Sequence, residues 1–120
     1  MCLIVNPIAA RSEYRFVAQC EHGTVFVHWK ISCWTLAIAD FNNLVAFLET
    51  SKTDLETEVK DGAHALKRAH AGVQLWIGIA ALGFSNPDWQ EFLDLILEAA
   101  PRINEFLIVP KGRNSSLVFN

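Results

Sequence analysis

Apolar residues follow two rhythms along the chain. Phe41, Leu44, Val45 and Leu48 recur at i, i+3, i+4 and i+7, and Trp89, Phe92, Leu93 and Ile96 repeat that spacing. It gathers four side chains on one side of a helix and so predicts two amphipathic helices. Asp40 is placed to cap the first. For the second, Asn86 is the expected cap and Pro87 the first helical residue, with Asp88 and Glu91 in the positive first turn.

Upstream of each helix the period falls to two, as in strands with one inward face. With Glu21 and His22 as a two-residue turn, Cys20 pairs with Gly23. Ala18, Phe16 and Tyr14 then lie opposite Val25, Val27 and Trp29, all on one face. With Lys30 and Ile31 as the next turn, Trp29 pairs with Ser32, Val27 with Trp34 and Val25 with Leu36, again on that face. A second meander is expected over roughly 61–69, 72–77 and 80–85. Its Gly78 and Ile79 would form a turn whose leading glycine suits type II′.

The two sets of elements align with each other. Residues 22 to 49 fall on 70 to 97 at a constant offset of 48, so His22 meets His70, Val25 meets Val73, Asp40 meets Asp88 and Phe41 meets Trp89. Residue chemistry is kept through a strand section and a helix section without a gap, the mark of an internal repeat. The reading is an α+β single domain over 1–120. It consists of two tandem strand-strand-strand-helix repeats, about 12–50 and about 60–98, forming antiparallel meanders with both helices on one face of the sheet. A C-terminal strand or tail over 104–120 follows, built from "FLIVP" and "SSLVFN" around the turn-like "KGRN". Duplicated units of this size are similar in architecture to those of small bacterial domains, a likeness that carries no chemistry.

Composition narrows the function classes. The chain has 120 residues, 52% of them hydrophobic, enough for one core. A net charge of −3, with ten scattered Lys and Arg, leaves no basic stripe for phosphates, so nucleic acid is not expected as a partner. The opening "MCLIVNPIAARS" has no basic leader and is broken at Asn6 and Pro7, which argues against a signal peptide. The apolar stretch "GVQLWIGIAALGF" has 13 residues, short of the roughly 18 of a membrane span. An odd count of three cysteines suits a reducing compartment. A soluble, cytoplasmic protein is expected.

Two cysteines and two histidines fall in "CEHGTVFVHWKISCW". In the expected register Cys20 lies on the helix-covered face with His22 in the turn, while His28 and Cys33 pair on the opposite face. About 20 Å of strand would separate His22 from His28, whereas zinc ligands converge within roughly 2.0 to 2.3 Å of one ion. No metal and no cofactor are expected. His28 beside Cys33 could form a base and thiol pair, but the neighbouring Arg15 cannot orient the histidine by accepting its proton. His64 points at the core face. Glycine-rich phosphate loops and inward carboxylate pairs are absent, so the chain does not read as an enzyme.

The opposite sheet face carries Val17, Phe26, His28 and Cys33 in the first meander, and Trp76 and Ala81 in the second. Such an apolar surface marks an interface, with Phe26 and Trp76 as its anchors. The sequence therefore points to a non-catalytic module that self-associates into a homo-oligomer or docks a protein partner. Folding back of "MCLIVNPI" and the C-terminal strands over this face is the competing arrangement. A small-ligand domain, with Trp29, Trp34, Trp76 or Trp89 lining a pocket between the repeats, is the second reading. An enzyme using His28 with Cys33, or His64, is the third.

Overall fold

The computed structural model of the chain describes residues 4–54 and 56–103. Strands β1 (Val5–Ser12), β2 (Arg15–Cys20), β3 (Val25–Trp29) and β4 (Ser32–Leu36) form one antiparallel sheet in sequential order, followed by helix α1 (Ile38–Thr53). Strands β5 (Glu58–Asp61), β6 (His64–Ala69), β7 (Gly72–Ile77) and β8 (Ala80–Ser85) form a second antiparallel sheet, again sequential, followed by α2 (Asn86–Ala99). Among the described residues the fold is α+β, with two four-stranded sheets and two α-helices. The "FLIVP" and "SSLVFN" segments lie outside the described residues.

Each sheet has one strand more than the sequence pattern indicates, for opposite reasons. β1 runs along the edge beside β2, and its pairing slips between Pro7 and Ala9 and again between Ala10 and Ser12. Those irregularities break the period of two, and Pro7, which lacks an N–H, is tolerated at an edge. β5 is only "EVKD", with Val59 its one buried residue, so it merges with the polar connector in sequence. From Val5 onward the N-terminal segment thus extends the sheet instead of folding over its face.

The β3–β4 register is the one expected, with Trp29 opposite Ser32, Val27 opposite Trp34 and Val25 opposite Leu36. The β2–β3 register is not. Gln19 pairs with Val25, Val17 with Val27 and Arg15 with Trp29, one residue away from the pairing that a two-residue turn would impose. The loop is longer: the Cys20 N–H donates to the Thr24 carbonyl, and Gly23 takes a φ of +89°. A one-residue slip exchanges the faces of a strand. Val17 therefore faces inward and is wholly buried, while Tyr14, expected inside, is exposed. Gln19, also buried, donates its side-chain amide to the Gly23 carbonyl, which offsets part of the cost of its burial.

Both helices start differently in detail from the expectation. Ala37 precedes α1 without a side-chain cap, and Asp40 sits in the first turn. There its charge favours the helix dipole but does not cap. Ser85, not Asn86, caps α2, its hydroxyl accepting from the Asp88 N–H. Pro87 follows within the first turn, where its missing N–H costs no hydrogen bond.

One core joins all of this. Val17, Val25, Val27 and Trp29 of the first sheet, Leu66, Val73, Leu75 and Phe84 of the second, and the stripes of both helices belong to a single buried cluster. Its centre is aromatic: Phe92 meets Trp29 edge-on at 5.3 Å and packs on Phe84 at 4.8 Å, while Trp89 meets Phe84 at 5.3 Å. Such contacts add about 0.5 to 1.5 kcal/mol each beyond area burial.

Each helix also reaches the sheet of the other half. α2 is tied to the first sheet by Glu91 to Arg15 (2.7 Å), Asp88 to Lys30 (2.7 Å) and Glu98 to Arg11 (2.9 Å). The hydrogen bond from Lys30, and then the positive charges of Lys30 and Arg15, hold the Asp88 carboxyl below its usual value of 3.8 against the opposing pull of partial desolvation. α1 touches the second sheet where Phe47 stacks on His64 at 5.3 Å and where Arg68 donates to the Ser51 carbonyl at 2.6 Å.

Candidate functional site

The residues expected to form an interaction surface do not share one place. Val17 is in the core. Phe26, His28 and Cys33 lie on the outer face of the first sheet, and Trp76 and Ala81 on the outer face of the second. The pairs correspond in position: His28 opposes Cys33 in one sheet, and Trp76 opposes Ala81 in the other. Phe26, His28 and Trp76 are half-buried, and Cys33 and Ala81 are exposed. Neither Phe26 nor Trp76 belongs to the core cluster or to the partly buried residues packed on it.

The outer face of the second sheet is more polar than its central strands suggest, because β5 and β6 add Glu58, Lys60 and Lys67 around Trp76. Trp76 itself donates its indole N–H to Gln74 at 3.2 Å. On the first sheet, Phe16 is the cross-strand neighbour of His28 and stacks on it at 4.9 Å with 5° between the planes. Arg15, expected in that place, pairs with Trp29. A phenyl ring accepts no conventional hydrogen bond, so His28 gains stacking there but no orienting acceptor, which a nucleophile and base pair requires.

The Cys and His cluster divides along the strand and not between faces. The register slip puts Cys20 on the outer face with His28 and Cys33, yet Cys20 and His28 stand eight residues apart around the β2–β3 loop. Cys20 is level with Thr24, so His28 lies four residues farther along β3, about 13 Å at roughly 3.3 Å per residue. Among the described residues, Cys20, Glu21 and His22 bring possible ligand atoms within 4.8 Å of one another. The Cys20 sulfur is engaged in a disulfide, and among the described residues Cys33 is a free thiol. The cysteine count alone suggested reduced thiols. A sulfur in a disulfide offers no thiolate to a metal.

The tryptophans expected around a ligand pocket are mostly packed away. Trp29 and Trp89 are buried and Trp34 leans on Phe92 at 6.0 Å, so the space between the halves is filled by their rings. A cavity lies elsewhere, between α1 and the β5–β6 and β7–β8 turns, with a volume of about 570 Å³. Asp40, Asn43, Phe47 and Thr50 line it from the helix, and Asp61 and His64 from the sheet. Sequence periodicity could not indicate it, since its walls come from a helix and from a strand pair concealed in polar sequence.

Two further surface residues stand out. Ile31 and Ile79 occupy the second position of the β3–β4 and β7–β8 turns and are fully exposed, at 101% and 99%. No described helix is long and apolar enough to cross a membrane. Compared with family models, curated proteins and solved structures, the chain gives no match.

Proposed function

We propose that the chain is a non-catalytic interaction module, built from two copies of one strand-and-helix unit, that self-associates or docks a protein partner through the outer faces of its sheets. The observation that carries the reading is that Phe26 and Trp76, one on the outer face of each sheet, both stand outside the core cluster. Large rings left partly in water forgo a part of the roughly 1.5 to 3 kcal/mol that full burial gives each, and a partner surface recovers it. The exposed Ile31 and Ile79 extend the same logic to the hairpin tips.

The duplication reading has its own support. The β3–β4 pairing of Val25 with Leu36 matches the β7–β8 pairing of Val73 with Phe84 at the offset of 48, and so do the turns that follow Trp29 and Ile77. The β2–β3 hairpin departs from this by the extra loop residue near Gly23.

The test is a double variant, Phe26→Ser with Trp76→Ser, followed by sedimentation and circular dichroism. The expected result is a smaller species, or loss of a co-purifying protein partner, with the helical signal intact because both residues lie outside the core. An unchanged assembly state, or unfolding of the variant, overturns the reading.

A further inference from the structure

The two helices meet the sheets at corresponding positions with different outcomes. On α2, Asp88 and Glu91 face Lys30 and Arg15, with Asp88 to Lys30 and Glu91 to Arg15 both at 2.7 Å and Asp88 to Arg15 at 3.8 Å. The Arg15 guanidinium also lies over the Trp29 ring, 5.0 Å from its centre.

At the offset of 48, Asp88 corresponds to Asp40, Glu91 to Asn43, Lys30 to Gly78 and Trp29 to Ile77. Arg15 stands opposite Trp29, and the residue opposite Ile77 is His64. The junction of α1 with the second sheet thus keeps one carboxylate and lacks both cations. The 570 Å³ cavity occupies that junction. No lysine or arginine lines it, and neither Asp40 nor Asp61 has an ion pair among the described residues.

We propose that this cavity binds a ligand bearing a guanidinium or ammonium group, its charge set against Asp40 where the other half sets Lys30 and Arg15 against Asp88. A charge-assisted hydrogen bond to a carboxylate is the strong kind. A planar guanidinium has a second contact available, because His64 presents a ring already stacked on Phe47 at 25°, much as Trp29 receives Arg15. The volume is within the range of small-molecule sites. The inference rests on the correspondence of the two halves and not on the outer-face interface, since the cavity opens on the helix side of the second sheet.

The test is an NMR titration of the full chain with N-acetyl-argininamide, using the neutral citrulline analogue as control. Saturable shifts of the amides of Asp40, Asn43, His64 and Gly78 are expected with the arginine probe alone. Asp40→Asn, at an exposed helix position, should weaken binding by about tenfold or more, the usual worth of a charged hydrogen bond. Gly78→Lys restores the side chain that Lys30 supplies at the matching turn, where Lys30 itself adopts a φ of +58°, and should abolish binding. Agmatine and an Ala-Arg-Ala peptide then assign the source: tighter agmatine binding marks a free small molecule, and tighter peptide binding marks an arginine of a partner chain. Equal shifts with citrulline, unchanged affinity in Asp40→Asn, or no saturable shift overturns the proposal. Sedimentation of Asp40→Asn should match the parent protein, which separates this result from that of the Phe26 and Trp76 variant.

Discussion

Lys30 joins a backbone cost to an electrostatic gain. It is the one described non-glycine residue with positive φ, at +58°, and the matching turn uses Gly78 at +65°. The left-handed region costs a side-chain-bearing residue about 1 kcal/mol or more, while a half-exposed ion pair such as Lys30 with Asp88 returns at most about that. Lys30→Ala should lose the pair and keep the strain, whereas Lys30→Gly should lose the pair and release it. Chemical denaturation is expected to rank Lys30→Gly above Lys30→Ala by about 1 kcal/mol; equal stabilities would show that the turn is unstrained. Asp88 supplies the pH-dependent part. Its folded pKa is depressed by Lys30 and Arg15, so its contribution is complete above the ordinary value of 3.8 and disappears as pH falls through the folded value. The stability gap between the parent protein and Asp88→Asn should therefore be widest well above that ordinary value and narrow as pH falls below it, as followed by urea midpoints. A gap that stays constant over that range would contradict the assignment.

Strands and helices were unevenly legible in the sequence. The helical stripes of α1 and α2 are visible because their inward residues, Ser51 and Ala99 apart, are large and apolar, and the β3–β4 and β7–β8 hairpins because their two-residue turns preserve parity. β2 was misread because Phe16, Ala18 and Cys20 are as apolar as Val17, so composition does not tell its two faces apart, and the extra residue beside Gly23 decides the matter. β1 and β5 were missed because bulges, or polar residues, erase the alternation. The second sheet nevertheless contains one tight constraint that sequence alone does not reveal. A Cβ on Gly72 would collide with the Phe84 carbonyl oxygen, with the Phe84 carbonyl carbon and Ser85 Cα close behind. Backbone cannot yield as a side-chain tip can, so the β7–β8 ladder would have to open at its end. Gly72→Ala is expected to destabilise the fold by roughly 1 to 3 kcal/mol, read as a lowered thermal midpoint, whereas Gly83→Ala, with open space around it, should be near neutral. Equal effects of the two would remove the close approach as the cause.

For the whole molecule, the candidate sites were the least legible feature, because each depends on which distant segments meet. Of the residues expected on one outer face, Val17 lies in the core, and the division of the others between two sheets and the polar rim from β5 and β6 follow from topology. The cavity beside Asp40 likewise exists only because α1 crosses to the second sheet. That crossing also governs when the chain can fold. The hairpins join neighbours and can form early, but Arg15 waits for Glu91, 76 positions later, and the Ile8 carbonyl waits for Arg102, 94 positions later. Contacts of such separation are slow to form because a long loop must close before they contribute. During synthesis the first sheet emerges with Trp29 uncovered, and its cover is complete only once Phe84 and then Phe92 have left the ribosome. The first half of the chain is thus a dependent nascent segment whose core is completed by the last helix described.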